Sequence, residues 1–85
     1  MTDTFKNDCL AIIKLAMETP EAKAHIMCEW VAHCQFFAVR VYMGGWTEGN
    51  KPQLSAESHA NGGSYKSAFH SEPSLVLAKI QALLA

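Results

Sequence analysis

The residues best suited to chemistry crowd into "HIMCEWVAHC", where His25, Cys28, His33 and Cys34 bring two imidazoles and two thiols close together in the chain. On a helix, His25 and Cys28 would be neighbours three positions apart, with His33 and Cys34 one and a half turns further on. Zinc is the guest such donors suggest. However, no C-x-x-C pair exists, the four donors point around a helix rather than to one side, and completing a site would require His59 or His70. Cys34 in the core and His33 at the surface account for the same letters, so no metal or other cofactor is expected. A cysteine nucleophile needs a base and an oxyanion donor in a cleft, and Cys28 with His25 offers only a local pair on one element. No serine sits in a nucleophile-elbow pattern. The glycines of "GGWTEGN" lack the Lys-Ser ending of a phosphate-binding loop and do not lead into a helix. A thiol- or metal-dependent small enzyme is therefore an alternative reading, and the leading one is non-enzymatic.

A different signal comes from "GGWTEGNKP", Gly44 to Pro52, which sets a large aromatic ring among turn residues. Trp46 lies beside Glu48, Asn50 and Lys51, a rigid apolar surface flanked by charges of both signs. Tryptophan is enriched at binding hot spots, and loops held by a rigid scaffold are where recognition residues sit. The competing reading has Trp46 folded back to lid one end of the core, where a ring of this size could bury about 150–250 Å². Both readings stand at the level of sequence.

Eighty-five residues make a single domain, because so short a chain has no surface to spare for a second core. Hydrophobic residues are 49% and charged residues 18%, values that belong to a folded chain. Seven basic and eight acidic residues are spread along the length and leave a formal charge of −1, so no single-sign field is built for nucleic acid or anionic lipid. The longest mainly apolar run, "LAIIKLAM", is far short of the roughly 20 residues of a membrane span and contains Lys14. Acids in "MTDTFKND" stand where a secretory signal would carry basic residues, which makes export unexpected and a cytoplasmic location the expectation. Three cysteines, Cys9, Cys28 and Cys34, lack the paired spacing of a disulfide framework and read as free, buried thiols.

These groups must be positioned by regular elements. Thr2, Asp3 or Thr4 can cap a first helix over about 4–17, with Phe5, Cys9, Ile12, Ile13 and Ala16 on one face and Leu10 and Met17 widening the stripe. Thr19 and Pro20 look like a cap and first position of a second helix over about 20–33. "QFFAVRVYM" is rich in aromatic and β-branched residues, and Phe37, Val39, Val41 and Met43 alternate with Ala38, Arg40 and Tyr42, which predicts a strand over 36–43. One uninterrupted helix from Pro20 to Met43 is the alternative. Strands over about 53–60 and 64–70 flank Asn61-Gly62, a tight-turn signal. Ser71 then caps a last helix over about 72–84, with Val76, Ile80, Leu83 and Leu84 on its buried face. The expected architecture is α+β, in the order α-α-β-β-β-α, a three-stranded antiparallel sheet packed against helices.

Three strands followed by a helix resemble the order of a double-stranded RNA-binding domain. The basic residues such a domain needs near the start of that helix are replaced here by Ser71, Glu72, Pro73 and Ser74, with only Lys66 and Lys79 nearby. The second half, "GGWTEGNKPQLSAESHANGGSYKSAFHSEPSLVLAKIQALLA", also resembles small accessory proteins of bacteriophages and mobile elements, of the anti-CRISPR or host-takeover type. The resemblance lies in a glycine-rich hairpin, a strand with a Y-x-S/G pattern and a Ser-capped alanine-leucine helix. It implies stoichiometric inhibition of a host protein or protein complex. It carries over no site residue by position, and the near-neutral charge does not fit the acidic nucleic-acid mimics among such inhibitors. Taken together, these features predict a protein-binding module that docks through Trp46, Glu48, Asn50 and Lys51, with Arg40 and Tyr42 extending the patch if they lie on the outer side of their strand. Sheet-mediated nucleic-acid binding is the alternative, and a homodimer through an unpaired edge strand is a further expectation.

Overall fold

The computed structural model describes residues 2–60 and 70–85. Its elements are α1 (Asp3–Glu18), β1 (Ala24–Val31), β2 (Phe36–Met43), β3 (Leu54–His59) and α2 (Pro73–Leu84). The strands form one antiparallel sheet in the order β1-β2-β3. This is the expected α+β class with a three-stranded antiparallel sheet on helices; the order is α-β-β-β-α where α-α-β-β-β-α was expected.

Helix α1 begins where Thr2 accepts the Phe5 N–H on its hydroxyl at 3.1 Å, satisfying one of the amides that a helix start leaves open. It buries Phe5, Cys9 and Ile12. It stops because Thr19, extended ahead of Pro20, turns both its N–H and its hydroxyl back onto the Leu15 carbonyl, at 3.0 and 2.7 Å.

The second helix expected over 20–33 is not formed. Pro20 opens a single turn in which its carbonyl accepts from the Lys23 and Ala24 N–H groups, and the chain then runs as β1. Ile26 and Trp30 are four residues apart, a spacing that puts them on one face in a helix and in a strand alike. Ala24 and Cys28 complete the two-residue period. Pairing of Ala24–Val31 with Met43–Phe36 in unbroken register overrides the local Thr19-Pro20 signal. The β1–β2 turn over 32–35 contains no glycine; Gln35 itself adopts the left-handed region at φ 52°.

The strand expected over 36–43 is β2, Phe36–Met43, and the one expected over 53–60 corresponds to Leu54–His59. The Asn61-Gly62 turn and the strand expected over 64–70 lie outside the described residues except for His70, which makes an isolated parallel bridge to Glu57. Helix α2 is capped by Glu72 rather than Ser71. Ser71 is held elsewhere, its N–H donating to the Glu57 carbonyl at 2.8 Å and its own carbonyl accepting from the buried Ser58 hydroxyl at 2.7 Å.

Both helices lie on one face of the sheet. Phe37, Val39 and Val41 of β2 meet Phe5, Cys9 and Ile12 of α1 and Val76 and Ile80 of α2 in a single core. Ala24 and Ile26 extend it on one side, and Leu54 and Ala56 on the other. No helix among the described residues is long and apolar enough to cross a membrane. Ile80 has no solvent exposure, so Ile80→Ala is expected to cost about 2–5 kcal/mol, a large part of the roughly 4–13 kcal/mol available to a domain this size. Urea titration checks this: the midpoint should fall steeply, whereas an unchanged midpoint would remove Ile80 from the core.

Candidate functional site

The Gly44–Pro52 segment leaves the end of β2 and is fastened at several points. The Gly44 N–H donates to the Lys23 carbonyl at 2.8 Å, and the Gly45 N–H to the Tyr42 carbonyl at 3.3 Å. Gly45 has φ 100°, and a Cβ there would sit 3.2 Å from the Glu21 carbonyl oxygen, so only glycine fits the bend without strain. Asn50 bridges the loop internally, its side-chain amide donating to the Gly45 carbonyl at 3.2 Å and its N–H to the Thr47 carbonyl at 3.1 Å. At the far end the Gln53 N–H donates to the Val41 carbonyl at 2.7 Å. A loop closed this way has lost much of the freedom that binding would otherwise have to remove.

Trp46 rides on this loop with 48% of its surface exposed, so it is not a member of the core. Glu48, Asn50 and Lys51 are exposed beside it. Asn50 therefore has a loop-fastening role that residue type and spacing alone did not reveal.

Arg40 and Tyr42 both project from the side of β2 opposite the helices, as the alternation with Phe37, Val39 and Val41 requires. Arg40 is exposed. Tyr42 departs from its expected part in the patch, because it is only 8% exposed and its ring packs against the His25 imidazole, with centroids 6.2 Å apart. The structure thus groups Trp46, Glu48, Asn50 and Lys51 on one loop, with Arg40 on the adjoining sheet face and Tyr42 as a packed support.

The His/Cys cluster is dispersed. In a strand His25 and Cys28 are an odd number of residues apart and point to opposite faces, so the helical neighbour relation disappears. His33 and Cys34 fall in the β1–β2 turn, where Cys34 is exposed rather than in the core. Cys9 is buried and Cys28 half-buried. Burial, helped by the Asp8 carboxylate and then by Cys28, pushes the Cys9 thiol up to about 11, and burial raises Cys28 as well. Both thiols stay protonated near neutral pH, the opposite of what a nucleophile or metal ligand needs. Among the described residues no group of three His, Cys, Asp or Glu could hold a metal ion.

The sequence reading gave His59 and His70 no role except as spare ligands, yet they form a polar contact with each other and with the carboxylates of Glu57 and Glu72. The His59 N–H donates to His70 Nδ1 at 3.0 Å, which leaves the His70 proton on Nε2, facing Glu72 Oε1 at 3.0 Å. His59 Nε2 lies 3.2 Å from Glu57 Oε1, and the two rings are 5.8 Å apart. With the two Ser71 bonds, this cluster clips the approach to α2 along the outer edge of β3. The period-two spacing of Glu57 and His59 was the only trace of it in the sequence.

Compared with protein-family models, curated proteins and solved structures, the chain matches none. The exposed position of Trp46 has a direct readout. In a Trp30→Phe variant, where Trp46 is the sole tryptophan, fluorescence is expected to be red-shifted and readily quenched by iodide. A blue-shifted, quencher-resistant emission would return Trp46 to the core.

Proposed function

We propose that this protein is a non-enzymatic binding module that docks on another protein through the Trp46 loop and the adjoining sheet face opposite α1 and α2, blocking that partner by stoichiometric occupation. One observation carries the reading: a half-exposed tryptophan is presented on a loop fastened to the sheet at both ends, with Glu48, Lys51 and Arg40 exposed around it. A large aromatic held in place, with polar groups at its rim, is the arrangement that concentrates binding energy in few residues. The two more buried thiols, held protonated, and the spread of both charge signs give less support to covalent chemistry or to phosphate tracking. The resemblance of the second half to phage and mobile-element inhibitors makes a bacterial host protein complex the first partner class to test.

Wild type and Trp46→Ala are compared as baits against the same bacterial lysate, and any enriched protein is then titrated in purified form. Trp46→Ala is expected to weaken binding by about thirtyfold, the scale of a hot-spot tryptophan, while its melting temperature stays near that of wild type. Unchanged binding with a melting temperature lower by several degrees would show the tryptophan to be structural and overturn the assignment. Retention of nucleic acid with a steep salt dependence would favour the sheet as a nucleic-acid surface instead.

A further inference from the structure

The two edges of the sheet are treated differently. The β3 edge is blocked: Glu57 and His59 turn their outward backbone groups to Ser71 and to the His70 ring. Among the described residues the β1 edge has no such cover. The bond from the Gly44 N–H to the Lys23 carbonyl shows that the backbone at Lys23 points toward β2, and antiparallel alternation then points that of Ala24, Ile26, Cys28 and Trp30 away from it. The Ala24 N–H is taken by Pro20. For the remaining outward groups of Ile26, Cys28 and Trp30, no hydrogen bond is formed among the described residues. The strand carries none of the devices that normally protect an edge: Ala24–Val31 contains no proline or lysine, and its register with β2 has no bulge.

Beside this edge the helical layer is also incomplete. Trp30, 42% exposed, lines an apolar groove with Phe5, Leu10, Ile13 and Phe37. Leu10 and Met17, 54% and 82% exposed, extend the apolar surface along α1 with Ile13, at spacings that keep them on one side of the helix.

We infer that the occupant is a second copy of this chain, paired antiparallel through β1 about a two-fold axis at Met27, to give a six-stranded sheet. Only residues with outward backbone groups can exchange ladder bonds, which puts a symmetric axis on a residue rather than between two; those nearest the middle of the strand are centred on Ile26, Met27 or Cys28. Centring on Ile26 leaves much of the strand unpaired. Centring on Cys28 sets Glu29 against Met27 and His25 against Val31. Centring on Met27 sets His25 against Glu29 of the second copy, twice by symmetry. It also pairs Ile26 with Cys28 and lays Trp30 over Ala24, large against small. His25, whose Nδ1 is 3.6 Å from Glu21, then lies between two carboxylates. The same axis sets the two α1 helices side by side and antiparallel, so that the Leu10–Met17 stripe of each covers that of the other. Histidine–carboxylate pairing on one face and apolar continuity on the other select the same register.

The test combines sedimentation from micromolar to millimolar protein with disulfide trapping. At the axis the two Met27 residues form a non-hydrogen-bonded pair with Cα atoms about 4.5 Å apart, within disulfide reach. Met27→Cys, in a background with Cys28→Ser and Cys34→Ser, is expected to form a covalent dimer under mild oxidation. Glu29→Lys, exposed and outside the core, is expected to weaken dimerisation by about tenfold. A monomer at all concentrations overturns the inference. So does a dimer that Met27→Cys fails to trap and Glu29→Lys leaves unaffected, since it would use another surface.

Discussion

The two-sided pairing of β2 is the constraint on which the rest of the molecule depends. Its backbone is bonded to β1 along one side and to β3 along the other, and it supplies Phe37, Val39 and Val41 to the centre of the core. A short chain buries too little surface to cover both faces of a sheet. Both helices accordingly go to the Phe37 face, and among the described residues the Arg40 face carries no helix. The end of β2 then launches the Trp46 loop, whose tethers return to Lys23, Tyr42 and Val41. Core and candidate binding surface are thus two consequences of one strand.

The groups best suited to chemistry are dispersed over the fold, and several of them have structural partners. Cys9 is buried and held as a thiol, Cys34 sits in a turn, and His25 supports the Tyr42 ring. His59 and His70 fasten the segment before α2, with Glu57 and Glu72 on their outer nitrogens. What remains distinctive on the surface is apolar: Trp46 at one end of β2, and the Trp30, Leu10 and Met17 side of α1 and β1.

Much of this was legible in the sequence, and the exceptions have physical causes. The β2 alternation favoured a strand over the alternative of one helix from Pro20 to Met43, because Val39 and Val41 fall on one side of a strand and the polar Arg40 on the other. The β1 segment was read as helix because Ile26 and Trp30 satisfy both periods and Thr19-Pro20 imitates a helix start. Its true partner lies across a turn that lacks the usual turn residues, with Gln35 taking the left-handed position. The loop residues Trp46, Glu48, Asn50 and Lys51 were legible as a group. The burial of Tyr42 was not, because it depends on His25 across the ladder, a neighbour that exists only once β1 is a strand. The asymmetry between the two sheet edges could not be read at all without the positions of His70 and Ser71.

Cross-strand proton contacts on both sides of β2 test this account most directly. Non-hydrogen-bonded antiparallel pairs bring α-protons together, and the register places Ile26 opposite Val41 and Cys28 opposite Val39 on one side, with Arg40 opposite Ser55 on the other. Nuclear Overhauser spectra are expected to show α-proton contacts for all three pairs. Strong sequential amide contacts running from Ala24 through Val31, with none of these cross-strand peaks, would mean that the segment is a helix and that the sheet described here does not exist.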